Sequence, residues 1–295
     1  MQNNKSLEWA KQKSRVVAKT QFKNGETIVS VLFPFPTVKL AELRTHRKSI
    51  QTDAEYLETS ENDKIAAMNA NSSRAIPIVK QIEAVKNMPY VPIWTHSQSG
   101  MQGKEVTDER TIKHLNEAYL SRLNDSIEEA ELYAKNDIHK QDACLPIVRY
   151  SFTTVVMTMT EWQWKYFFEQ RTADGVYPFF RELFRHIQNI VTETKPTRSN
   201  VHLPFRTEIE AEYGKEITAR EAMLIACSMC AKISFDTQDK VETVRQHVER
   251  AERLIKAKHA IDEHVALPND LNLDNPLGKK ATTLRAMNLA GVSFV

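Results

Sequence analysis

Apolar residues recur along this chain with two different periods. From Glu26 the run TIVSVLFPFP alternates and is rich in β-branched and aromatic residues, which predicts a strand ended by Pro34 and Pro36. Residues 151–158, dominated by Thr and Val, predict another. Elsewhere the spacing is helical. A helix is predicted over about 37–49, with Val38, Leu40, Ala41 and Leu43 on one side, and a shorter one over 76–88 before Pro89 and Pro92. A long helix over about 108–136 carries Leu115, Tyr119, Leu123, Ile127 and Ala130, a stripe that suits a core or a subunit interface. Further helices are predicted over 160–171, over 176–194 with Phe179, Phe180, Leu183, Phe184 and Ile187 on one face, and over 241–260. Residues 1–24 are polar and basic and read as an arm or a first helix.

Composition narrows the class. A chain of 295 residues that is 41% apolar can build a substantial core. The net charge of +2 gives no bulk pull toward nucleic acid or a membrane surface. No apolar run approaches the roughly 20 residues that span a bilayer, and MQNNKSLEWAKQK lacks a signal-peptide core, so a cytoplasmic protein is expected. Three cysteines fit a reducing compartment; Cys227 and Cys230 form a C-x-x-C inside an apolar stretch and read as buried structural residues. Glycine is scarce, with seven in all, so Gly100 and Gly103 mark backbone that matters or a simple turn.

Candidate chemistry concentrates between Lys39 and Pro77. Asn69, Ser72, Ser73 and Arg74 precede an Ile-Pro, and short hydroxyl and amide groups beside a guanidinium suit a phosphate. The same residue types also make an ordinary turn. Neither G-x-G-x-x-G nor a P-loop is present. His259, Glu263 and His264 cluster, but a third metal-ligand position is lacking, so no metal is expected.

Thr45-His46-Arg47 and Asn69-Ala70-Asn71-Ser72-Ser73-Arg74-Ala75-Ile76-Pro77 resemble the front and rear of the flavin-dependent thymidylate synthase signature in its phage-type form, separated here by an insert over about 49–68. Trp94, Gln98 and Gly100-Met101-Gln102, His139-Lys140-Gln141, Thr160-Glu161-Trp162, Phe167-Phe168 with Arg171, and Val201 to Phe205 resemble further family segments. The resemblance covers about 37–268. It implies an α/β fold, an antiparallel sheet flanked by long helices with a helical C-terminal extension, in a homotetramer. It also implies an enzyme that converts dUMP to dTMP with FAD, methylenetetrahydrofolate and NADPH, and no protein nucleophile. On that basis Ser72, Ser73 and Arg74 would hold the nucleotide phosphate and Arg171 the pyrimidine end. His46, Arg47 and Asn69 would face FAD.

The chain also departs from the family pattern. Thr45 stands for the leading Arg, Leu145 for a nucleotide-binding Arg with Arg149 nearby, Tyr166 for a flavin-side Asn, and Val176-Tyr177-Pro178-Phe179 for a more polar run. Because these positions border the base, a dCMP-specific or hydroxymethyl-forming variant, as phages use for base modification, remains open. So does a non-catalytic binding or scaffold protein of the same fold. The expected division is an arm over 1–24, one catalytic domain over 25–268 and a tail over 269–295.

Overall fold

The computed structural model describes residues 4–44, 66–70, 76–99, 103–214, 216–233, 242–268 and 281–284. A five-stranded sheet runs in the order β3-β4-β2-β1-β5, with β1 Arg15–Gln21, β2 Thr27–Pro36, β3 Ala66–Ala70, β4 Phe152–Thr160 and β5 Thr197–Arg198. The first four pair antiparallel and the short β5 joins β1 in parallel. The expected mixed α/β architecture, a largely antiparallel sheet flanked by helices, is what forms.

Both faces of the sheet are covered, which is why β2 reads as an almost unbroken apolar run. Val29, Val31, Phe33 and Phe35 of β2, with Val155, Met157 and Met159 of β4, point into one core. The helices α1 Lys5–Lys13, α7 Glu161–Arg171 and α8 Pro178–Glu193 supply its other wall. The predicted face of α8 is there: Phe179, Phe180, Leu183, Phe184 and Ile187 are fully buried. On the opposite face Val156 meets α9 Arg206–Tyr213, α10 Ala219–Ala231 and α11 Val244–Lys256. Cys227 and Cys230 are buried in that layer, as expected. A third cluster joins α3 Ile78–Asn87, α5 Leu123–Lys135 and the 3-10 turn Leu145–Tyr150, next to α6 Lys140–Ala143.

The observed elements refine the sequence-based expectations at several points. Of the two readings of residues 1–24 the first helix forms rather than an arm: Leu7 and Ala10 of α1 are buried, and the β1 that follows lies between β2 and β5. Asn4 caps α1 through Leu7 N–H, so a polar start still leads into a packed helix. Strand β2 ends at Pro36, as expected, with Pro34 inside it and paired with Thr154 of β4. Both prolines are tolerated because pairing with β1 stops at Leu32↔Arg15, leaving that side of β2 without a strand. The single long helix is two, α4 Glu109–Leu120 and α5, with Ser121 and Arg122 at the break. Past Lys256 the described C-terminal part is not helical throughout: a 3-10 turn leads to a small hairpin of β6 Ala266–Pro268 and β7 Ala281–Thr283. Among the described residues no helix is long and apolar enough to cross a membrane.

Candidate functional site

Arg171 ends α7, and helical spacing fixes where it points. Trp164, Phe167 and Phe168 lie seven, four and three positions before it and are all buried, so Arg171 follows them inward. Helix α7 is set in place by a capping box between Thr160 and Gln163, and by the Trp164 indole N–H donating to Val29 O at 3.0 Å. Arg171 is 5% exposed. Its Nη2 donates to the carbonyl of Glu42 at 3.2 Å. That carbonyl belongs to the short helix α2 Leu40–Arg44, whose last carbonyls have no intrahelical donor. Arg171 Nε is buried and finds no hydrogen-bond partner among the described residues. Burial lowers the guanidinium pKa to about 10, and the Glu42 charge offsets part of that. The group therefore stays charged at neutral pH.

Glu42 also faces two tyrosines. Tyr177 stands at the N-cap of α8, and its hydroxyl lies 2.9 Å from that of Tyr90 and accepts the Ile93 N–H at 3.1 Å. Burial first, then the neighbouring hydroxyl and Glu42, push the Tyr90 phenol above its ordinary range, and burial raises Tyr177 as well. Both are neutral donors at any working pH. The Lys39 ammonium sits 4.8 Å from the centre of the Tyr177 ring and 3.8 Å from the Glu42 carboxylate.

The aromatic strip continues to a second arginine. Arg149 lies over both Tyr119 and Tyr150, each ring centre 4.7 Å away. Tyr119 donates to the Arg149 carbonyl at 2.7 Å, and Tyr150 donates to the Tyr119 carbonyl at 3.0 Å. Burial pushes the Tyr119 phenol up to about 12. Trp94 packs edge-on against Tyr119 and donates to Asn116 at 2.7 Å. Trp94 opens a tight loop in which His96 N–H donates to Lys104 O at 2.8 Å. A Cβ on Gly103 would meet the His96 carbonyl oxygen at 1.9 Å, so this glycine is required by a close backbone approach. Lys39 and Arg171 stand close to Glu42, and Arg149 adds a further cation over Tyr119 and Tyr150, an arrangement that favours an anion with several acceptor atoms.

The residues expected from the sequence are placed unevenly. Thr45, His46, Arg47, Ser72, Ser73 and Arg74 lie outside the described residues. The stretches leading into them do converge: Leu43 of α2, Met68 and Ala70 of β3, and Tyr177 all pack in the same core as α7. Asn69 is different. It pairs with Val156, whose side chain belongs to the opposite layer, so the register puts Asn69 on the other sheet face from Arg171. Of the residues expected to face FAD, Asn69 alone is described, and its face is not the face of the cationic strip. The strip itself has the charge and the spare donor that a nucleotide would use. His264 is buried and bonded to Thr158, whereas His259 is exposed, and among the described residues no three His, Cys, Asp or Glu side chains gather as a metal site would need. Lys39, Glu42, Tyr90 and Tyr177 were not singled out as site residues from the sequence. Only the i,i+3 spacing of Lys39 and Glu42 and the bulky Tyr177 in a run expected to be polar hinted at them.

No protein-family model matches the sequence, and no curated protein matches it either. Among solved structures the chain is similar to the UMP/dUMP methylase PolB from Streptomyces cacaoi bound with 5-Br dUMP, at a TM-score of 0.43 and 13% identity over 57% of this chain and 67% of that one. The same enzyme bound with 5-Br UMP gives a TM-score of 0.42 and 12% identity, over 57% of this chain and 70% of the other. An overlap this loose carries no function across.

Proposed function

We propose that the chain binds a pyrimidine deoxynucleotide and methylates C5, turning dUMP into dTMP with FAD, methylenetetrahydrofolate and NADPH. The observation that carries this reading is Arg171: a charged guanidinium, 5% exposed, with a buried N–H left over, in the core from which both motif-bearing stretches depart. A buried donor without an acceptor costs about 1–3 kcal/mol, a cost a chain keeps where a ligand supplies the acceptor.

Flavin, when bound, supplies the reducing equivalents that turn the transferred carbon into a methyl group. The residues of this chain bind and orient. Arg171, fixed by the Glu42 carbonyl, offers donors to carbonyl oxygens of the base; Lys39 and Arg149 add positive charge for the phosphate; and neutral Tyr90 and Tyr177 exclude water. Arg74 and Ser72 would grip the phosphate. Assembly as a homotetramer is part of this proposal, as is action in the cytoplasm.

Tyr177 favours a second reading. Its ring occupies a position where the resemblance leads one to expect a smaller polar group, and its hydroxyl is engaged by Tyr90 and Ile93. A base edge altered in this way suits dCMP, or release of a hydroxymethyl product. The absorption spectrum of the purified protein tests the flavin, and turnover of dUMP against dCMP with methylenetetrahydrofolate, FAD and NADPH separates the two enzymes. Arg74→Ala abolishes turnover under both. A colourless protein that binds neither nucleotide refutes both.

A further inference from the structure

The layer opposite Arg171 holds a row of polar side chains that the proposed chemistry does not use. Thr20 Oγ1 lies 3.0 Å from His202 Nδ1, and His202 Nε2 lies 2.8 Å from Ser30 Oγ. Ser30 Oγ is 2.6 Å from Thr158 Oγ1, which is 2.8 Å from His264 Nδ1. All five side chains are exposed by 2% or less. The row crosses β1, β2 and β4 by register, since Ser30 pairs with Thr158. Polar groups this deep are costly unless every donor meets an acceptor.

Counting protons along the row restricts it to two arrangements. Each hydroxyl has one proton to give. If Thr20 donates to His202 Nδ1, then His202 Nε2–H donates to Ser30, Ser30 to Thr158, and Thr158 to a bare His264 Nδ1. If the order reverses, His264 Nδ1–H donates to Thr158, Thr158 to Ser30, Ser30 to a bare His202 Nε2, and His202 Nδ1–H to Thr20. Of the two mixed arrangements, one sets two acceptors facing each other and the other leaves a buried hydroxyl proton with no acceptor in the row.

We propose that this row is a proton-ordered latch: His202 and His264 carry the Nδ1 proton together or lack it together, so the tautomer of one ring sets that of the other. The latch joins separate parts of the fold. His202 also exchanges two backbone hydrogen bonds with Ala266, at 2.7 and 3.3 Å, so β6 and the turn before it are held to the sheet from two sides. The charged and titratable groups that act on His202 are His264 and Arg206 at the start of α9, and Asp262 and Glu263 of the 3-10 turn directly precede His264. Burial, with the nearby His264 and Arg206, lowers His202 to about 3, which keeps that ring neutral.

Ring 15N shifts of the full-length protein labelled at histidine report the tautomers directly, with signals assigned by their loss in His202→Gln and His264→Gln. The native protein should show both Nδ1 atoms protonated or both bare. Thr20→Val removes the terminal hydroxyl and should drive both rings to the form with a bare Nδ1, although Thr20 touches only His202. Thr158→Val, which contacts His264 but not His202, should change the His202 shifts and serves if the first variant does not fold. One ring with and the other without the Nδ1 proton in the native protein overturns the proposal. So does a variant in which only the adjacent ring responds.

Discussion

Replacing Arg171 by Met separates a ligand-binding arginine from a structural one. The guanidinium pKa is lowered from 12.5 to about 10 although Glu42 is close, so burial costs the charged form about 3 kcal/mol more than its surroundings return. Its one bond to a described residue, to the Glu42 carbonyl at 3.2 Å, returns about 1.5–3 kcal/mol, and buried Nε is left without a partner. Those terms nearly cancel. Methionine has a similar length and no charge to bury, so Arg171→Met should shift the unfolding free energy by no more than about 1 kcal/mol in either direction. Binding of dUMP to the same variant should weaken by about 2–5 kcal/mol, the usual cost of removing one partner of a buried charged contact. Urea unfolding and titration calorimetry measure the two quantities on one preparation. A loss of more than about 3 kcal/mol in stability, with nucleotide binding unchanged, would show that Arg171 serves only to cap α2.

Three further outcomes follow from other parts of the fold. Glu242 receives both Nη groups of Arg250 and Lys232 Nζ at 2.9 Å; with the Arg250 hydrogen bond the largest cause, its carboxyl is lowered from 4.5 to about 2. Allowing for partial solvent screening, Glu242→Gln should cost about 2 kcal/mol at neutral pH, and since the folded pKa is depressed, the difference closes as pH falls from 4.5 toward 2 in pH-stepped urea melts. His202 is lowered from 6.5 to about 3, so the unfolded chain takes up the proton first: stability is full above 6.5 and is lost as pH falls toward 3. His202→Gln should reduce the slope of stability against pH in that window by up to about 1.4 kcal/mol per pH unit, and an unchanged slope counts against a neutral buried ring. Burial raises the thiols of Cys227 and Cys230, so neither should react with a disulfide reagent until the protein is unfolded; rapid native labelling would contradict their place in the core.

What the sequence made legible is what local pattern alone decides. Helices α7 and α8 pack apolar faces that recur every three or four residues, and Thr160-x-x-Gln163 marks where α7 starts. The failures share another cause, because each depended on a partner far along the chain. Pro34 in β2 reads as a breaker until one sees that β1 pairing has already stopped. Ala66–Met68 reads as the end of an insert, yet pairing with Met159, Thr158 and Met157 makes it an edge strand. Ser121 and Arg122 carry neither Pro nor Gly, so the break between α4 and α5 has no local mark.

The same distinction governs the site. The resemblance put Asn69 against FAD and Arg171 against the pyrimidine, two ligands that must meet, and spacing cannot tell which side of a sheet a strand residue faces. Register decides that, and a shift of one residue would reverse it. Here Ala70 pairs with Val155 and faces the core of Arg171, while Asn69 pairs with Val156 and faces the layer of His202 and His264. A flavin at Asn69 and a nucleotide at Arg171 of one chain would therefore have to meet around the edge of the sheet at β3, which is an outer strand. The alternative is that the two contacts come from different copies of the chain, as the proposed homotetramer allows. Mixing Asn69→Ala and Arg171→Met protomers distinguishes them: sites built across subunits regain turnover of dUMP in the mixed assembly, and sites built within one chain do not.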